Sequence, residues 1–223
     1  MLIFVHIPKT AGTTFKSVLF NHFKPEERIV VDSKDWLEPN LYINSREGLP
    51  DAKQVKPNNN IKFIMGHFKA TRFSNLYPTA DLITWVRDPL QRIVSSYYYY
   101  LFITPDTRGV LKKHRKYDII DIEKFVSHNA NKNSMSKQLN ISLNKFKFIG
   151  IAENFSKELI RYQTIMNSKE LTLEATKDYN INPIKKSTQE VYEVNEDIKE
   201  LIMRENKKDY ELYNECLKIA GYK

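Results

Sequence analysis

An α/β fold is what the sequence predicts: a single domain built on a central, mostly parallel sheet flanked by helices. Three observations predict it. Short apolar runs recur at Leu2–His6, Arg28–Asp32, Ile61–Gly66, Asp81–Val86 and Phe146–Ile151. Helical spacing recurs between and after them, at Thr13–Phe23, Pro89–Phe102, Ile120–His128, Glu153–Met166 and from Asn195 onward. The 223 residues also suffice for one sizeable core. Residues 1–223 are therefore read as one domain, with insertions at about 33–60 and 104–145.

The first strand leads into Ile7-Pro8-Lys9-Thr10-Ala11-Gly12-Thr13-Thr14 and then into a helix. Strand, tight turn and helix start suit an anion, because the first N–H groups of a helix have no internal partner. Gly12 leaves room for close backbone approach, Lys9 adds positive charge, and Thr13 and Thr14 add hydroxyl donors. The pattern differs from the common nucleotide loop, in which the lysine follows the last glycine and a hydroxyl residue follows the lysine. Here the lysine precedes the only glycine of the loop.

Trp36 to Asn60 carries Pro39, Gly48, Pro50, Pro57 and three consecutive asparagines, the composition of an irregular connection. The third run ends in Gly66-His67-Phe68. A histidine at a strand end beside glycine is a candidate general base, although most lone histidines are structural. His6, by contrast, is expected to pack against the first loop, and His22, His114 and His128 have no comparable setting.

Arg87-Asp88-Pro89 follows the fourth run. Proline suits the first helical turn, Asp88 suits the N-cap, and Arg87 can offer a planar fork to a phosphate or pair with a neighbouring carboxylate. Arg92 and Ser95 share one face of the helix that begins here. Tyr97 to Tyr100 are expected to point in several directions. Thr104 to Tyr117 is again irregular and contains the basic run Lys112-Lys113-His114-Arg115-Lys116, which suits either a solvated turn or an acidic ligand. After the fifth run, Glu153 and Asn154 favour a helix start.

Composition narrows the class. The formal charge of +8 implies attraction to anions without choosing among them. No apolar run approaches the length needed to span a membrane, and no charged-then-apolar leader precedes Leu2. Cys216 is the only cysteine, so an intrachain disulfide is impossible, and it is expected to be a small buried hydrophobe on the last helix. No Cys/His cluster has metal-ligand spacing. A soluble, cytoplasmic protein, prokaryotic in type, is expected.

Two segments together resemble the carbohydrate sulfotransferases, most closely heparan sulfate 2-O-sulfotransferase and its bacterial relatives. They are the Ile7–Thr14 loop and Arg87-Asp88-Pro89-x-x-Arg92-x-x-Ser95-x-Tyr97. Gly66-His67-Phe68, Phe148 to Phe155 and Asp209-Tyr210-Glu211-Leu212-Tyr213 resemble further blocks of that family in the same order, and Lys137-Gln138-Leu139 echoes another segment.

The resemblance implies a P-loop-like sulfotransferase fold and 3′-phosphoadenosine 5′-phosphosulfate as donor. By the same resemblance Lys9, Thr10, Ala11, Gly12, Thr13 and Thr14 hold the 5′-phosphosulfate, Arg87 and Ser95 the 3′-phosphate, and Lys185, Lys186 and Ser187 close over the nucleotide. Lys9 and His67 become the catalytic pair, with no metal required. The acceptor is a hydroxyl of a carbohydrate or similar molecule, acidic or not, and no nucleic acid is expected as a partner. Two alternatives stay open at this point: an atypical P-loop kinase or NTPase, and a non-catalytic polyanion-binding module using residues 112–116.

Overall fold

The computed structural model describes residues 1–31, 60–102, 121–167 and 191–222. Five strands form one sheet: β1 (Leu2–Val5), β2 (Arg28–Val31), β3 (Phe63–Gly66), β4 (Asp81–Val86) and β5 (Phe146–Ile151). Their order is β2-β3-β1-β4-β5, and every pairing is parallel. The expected α/β architecture is thus present, and the sheet is parallel throughout.

Parallel strands buried on both faces explain the continuous apolar runs. Successive side chains alternate between faces. Ile3, Val5, Ile64, Leu82, Val86 and Ile149 join one buried cluster, while Leu2, Phe4, Phe63, Met65, Ile83 and Trp85 join another. Helix α1 (Gly12–Phe20) and α6 (Phe155–Met166) cover the second face through Phe15, Val18, Leu19, Leu159 and Tyr162. Phe15 is fully buried against the rings of Phe4, Trp85 and Tyr162.

The first face is covered by α2 (Thr71–Ser74), α5 (Ser134–Gln138) and α8 (Lys207–Ile219), through Phe73, Met135, Tyr213 and Cys216. A third cluster joins α3 (Pro89–Phe102), α4 (Ile122–Ser127) and α7 (Glu196–Glu205) through Ile93, Val94, Phe125, Val126, Ile198 and Ile202.

β1 lies in the middle, with Val5 opposite Gly66 of β3 on one side and Thr84 of β4 on the other. The chain goes from β1 to the sheet edge at β2, returns through β3, and then crosses to β4 and β5. Connections therefore diverge at the C-terminal end of β1, where open α/β sheets form their ligand crevice.

Some boundaries differ from the sequence reading. The C-terminal stretch read as one helix is two, α7 and α8, separated at Asn206. That residue is fully buried, and its carboxamide bonds the backbone of Asn133 and Ile202. The break is thus imposed by a tertiary contact and leaves no glycine or proline to announce it. Within the region read as an insertion at 104–145, residues 121–145 fold into α4, α5 and a 3₁₀ turn at Leu143–Lys145. A 3₁₀ turn at Ala152–Asn154 precedes α6, so that helix starts two residues later than its spacing suggests.

Candidate active site at the strand ends

The loop after β1 is built on two left-handed residues that are not glycine, Lys9 (φ 69°) and Ala11 (φ 63°). Such backbone costs about 1–3 kcal/mol per residue and persists only where its surroundings enforce it. Two bonds do so here. The buried Thr10 hydroxyl donates to the Ile7 carbonyl at 2.8 Å, and Arg87 Nη1 donates to the Lys9 carbonyl at 3.2 Å. Thr10 therefore spends its hydroxyl inside the loop. Ala11 provides no side-chain cap for α1, so the N-cap residue leaves the N–H groups of the first turn open to another acceptor.

Packing gives Gly12 a reason for being glycine besides the close anion approach that the sequence suggests. A Cβ there would lie 2.0 Å from the His6 ring. That ring is buried, stacks on Phe4 at 5.3 Å, and lies 4.4 Å from the ring of His67. Burial, followed by the charges of His67, Lys16 and Lys9, holds the His6 imidazole well below its ordinary pKa and keeps it neutral. His6 thus packs against the loop as expected, and it also joins the loop to His67.

His67 sits just beyond β3. Gly66 beside it has φ 152°, and a Cβ there would meet the Val31 carbonyl oxygen at 1.9 Å. The His67 N–H donates to that same oxygen at 3.1 Å. His67 Nδ1 lies 2.7 Å from the His6 carbonyl. A carbonyl only accepts, so Nδ1 carries the proton and, in the neutral ring, Nε2 carries the lone pair.

Arg87, at the end of β4, brings the second expected motif to the first. Besides its bond to the loop it lies 3.7 Å from Glu153 and 5.9 Å from the centre of the Tyr192 ring. Asp88 caps α3 as expected, accepting from the Gln91 N–H at 2.9 Å. Gln91 in turn exchanges two bonds with the backbone of Tyr192, at 2.9 and 2.8 Å. Ser95 and Arg92 are both buried on α3. Of the aromatic run, Tyr97 is buried and Tyr99 is exposed, with Lys9 Nζ 4.3 Å from the Tyr99 ring centre.

The electrostatics converge on one point. Burial, reinforced by the neighbouring positive charge of Arg87, lowers the Lys9 pKa from 10.5 to about 8. Two cations on adjacent strand ends raise one another's energy, and an anion between them removes that cost.

Several participants were not assigned to the site from sequence. Glu153, read as a helix-start residue, accepts from the Asp88 N–H at 3.1 Å and from the Tyr213 hydroxyl at 3.0 Å while facing Arg87. Gln138 donates to the His6 carbonyl at 2.7 Å. Their signal lay in the blocks around Phe148–Phe155, Asp209–Tyr213 and Lys137–Leu139, which resembled the family without disclosing a role. Lys185, Lys186, Ser187 and the basic run 112–116 lie outside the described residues.

Among the described residues no group of three or more His, Cys, Asp or Glu side chains is placed to hold a metal ion, and no helix is long and apolar enough to cross a membrane. No curated protein matches the chain. A family model does, that of the sulfotransferase family, over residues 1–214. Its span takes in the β1–α1 loop, His67, Arg87, Glu153 and the Tyr213 contact, and so covers every strand end just described. The chain belongs to the sulfotransferase family and is a transferase of sulfuryl groups.

Proposed function

We propose that the protein moves a sulfuryl group from 3′-phosphoadenosine 5′-phosphosulfate to a hydroxyl of a glycan or glycan-like acceptor, in the manner of the heparan sulfate 2-O-sulfotransferase group. The observation that carries this reading is the bond between Arg87 and the Lys9 carbonyl, which joins two cationic strand ends beside an uncapped helix start. A donor with two separated anionic groups fits such a pair.

The donor supplies an activated sulfur–oxygen bond. Lys9 and the first turn of α1 stabilise the negative charge that develops on the bridging oxygen, each well-aimed donor contributing about 3–4 kcal/mol. His67 Nε2 takes the acceptor's proton as the new oxygen–sulfur bond forms, an effect of roughly 10²–10⁴ in rate. The N–H groups of Ala11, Gly12, Thr13 and Thr14 and the hydroxyls of Thr13 and Thr14 hold the 5′ end. Arg87 and Ser95 hold the 3′-phosphate, with Lys185, Lys186 and Ser187 completing the nucleotide site. A buried Cys216, its thiol pushed up to about 12 by burial, suits a cytoplasmic setting.

Calorimetry with 3′-phosphoadenosine 5′-phosphate tests the donor. Tight binding is expected, weakened by Arg87→Ala and by Ser95→Ala; tight ATP binding with none of this nucleotide refutes it. Lys9→Ala and His67→Ala are expected to abolish turnover of labelled donor in an acceptor screen.

A further inference from the structure

The His6 carbonyl oxygen accepts two hydrogen bonds. One comes from His67 Nδ1 and the other from Gln138 Nε2, each at 2.7 Å. Both donors reach it from outside the β1–α1 loop, His67 from the end of β3 and Gln138 from the last residue of α5. We propose that Gln138 is a positioning residue for His67: by engaging one lone pair of the His6 carbonyl it aims the other at Nδ1, which fixes the tautomer with Nε2 as the proton-accepting atom. The inference rests on the assignment of His67 as the general base.

The chemistry of the carbonyl supports this. A peptide oxygen has two lone pairs and no proton to give. With both engaged, the plane of the His6–Ile7 peptide is set, and only an Nδ1–H can satisfy the remaining direction. The same logic orients the Gln138 amide, since its oxygen cannot face another carbonyl oxygen. Histidine bases depend on a second group that holds the remote ring nitrogen protonated. Here that group is a main-chain carbonyl, and Gln138 fixes its aim.

The placement of Gln138 is itself built in. Helix α5 has five residues, too few to be stable alone. Asp209 of α8, fully buried, accepts from the N–H groups of Met135 and Ser136 at 3.1 and 2.8 Å and from the Ser136 hydroxyl at 2.8 Å. Asn133, just before the helix, bonds to Asn206, to the Glu205 carbonyl and to the N–H of Lys208. Anchored at its start by α7 and α8, α5 delivers its last residue to the site. The Leu139 N–H returns to Met135, and the Gln138 carbonyl accepts from the Ala70 N–H at 2.8 Å, which pins the far end as well. On the other side of His67 the His6 ring restricts tilt, and His6 Nδ1 is buried without a hydrogen-bond partner among the described residues.

Nitrogen NMR of ring-labelled protein reads the tautomer directly, the His67 signals being those lost in His67→Asn. Wild type is expected to show the Nδ1–H form. Gln138→Met keeps the length and removes the donor; Gln138→Glu keeps the shape and cannot donate at neutral pH. Both are expected to shift His67 toward the Nε2–H form while 3′-phosphoadenosine 5′-phosphate still binds, since Gln138 is not among the groups that hold the nucleotide. An Nε2–H tautomer in wild type overturns the proposal. So does an unchanged Nδ1–H tautomer in both variants, or loss of folding in both, which assigns Gln138 to the scaffold alone. Near-normal turnover in His67→Ala removes the base role and leaves the tautomer result standing, so the two failures are distinguishable.

Discussion

At the scale of single residues, Lys9 and Arg87 set the behaviour of the site. Burial and the neighbouring Arg87 lower the Lys9 pKa from 10.5 to about 8. Its folded pKa lies below its unfolded value, so between about pH 8 and 10.5 the unfolded chain binds more protons and the ligand-free fold gains stability as pH rises. A bound anion reverses the shift. Binding of 3′-phosphoadenosine 5′-phosphate is therefore expected to take up a proton at pH 8.5–9 and to weaken as pH rises through that window. Calorimetry in two buffers of different ionisation heat measures the uptake, and Lys9→Met should abolish it; equal heats for wild type in both buffers would refute the assignment. Gly12 makes a second point. Gly12→Ala drives a methyl into the His6 ring and is expected to destabilise the fold by roughly 1–3 kcal/mol through overpacking. A denaturant midpoint equal to wild type would show that the ring moves aside freely. This packing demand is not legible in the sequence: the contact is made by a ring six positions earlier, across a turn that spacing alone does not close.

Among elements, α5 and α8 show how short pieces are held. Asp209→Ala removes the acceptor for two N–H groups and a hydroxyl of α5 and leaves Arg92, buried and 3.9 Å away, without its carboxylate. Loss of one member of a buried ion pair costs about 3–5 kcal/mol, and urea unfolding should show a change of that order. A change under about 1 kcal/mol would mean that the network is not cooperative. Strands were easier to read than such pieces. β4 and β5 have the bounds that their apolar runs suggest, β1 and β3 are one or two residues shorter, and β2 follows its run as far as the described residues go. Burial on both faces writes itself into sequence as continuous hydrophobicity. Helix α3 was equally legible, because Asp88 and Pro89 are start signals and its period runs over four turns. Helix α5 is too short to show a period, and its cap is supplied from 73 positions away. Glu153 carried a local meaning, helix start, that hid its three non-local contacts with Arg87, Asp88 and Tyr213. Site residues on strand-to-helix turns are visible; those that act by reaching across the fold are not.

For the molecule as a whole, the central position of β1 makes the site and the stability of the domain one quantity. Its loop is tied to β4 through Arg87 and to α5 through Gln138, while Arg87 faces β5 through Glu153. A ligand that binds only this arrangement stabilises the entire fold, by about 2.7 kcal/mol at a concentration one hundred times Kd. For a chain of this length that raises Tm by roughly 5–11 °C. Wild type should show that shift with 3′-phosphoadenosine 5′-phosphate, and Lys9→Ala and Arg87→Ala should each lose most of it; an undiminished shift in Arg87→Ala would detach the β4 end from the nucleotide. The bond from Tyr213 to Glu153 has one more consequence, concerning the order in which a ribosome makes the protein. The β1–α1 loop is synthesised before the groups that fix it, and these arrive in sequence: Arg87, then Gln138, then Glu153, and after them the helix that carries Asp209 and Tyr213. A nascent chain halted before that helix has Arg87, Gln138 and Glu153 in hand but lacks Asp209 and Tyr213, the groups that hold α5 and Glu153 in place. The contacts that lock these strand ends to one another therefore close only once α8 has been made.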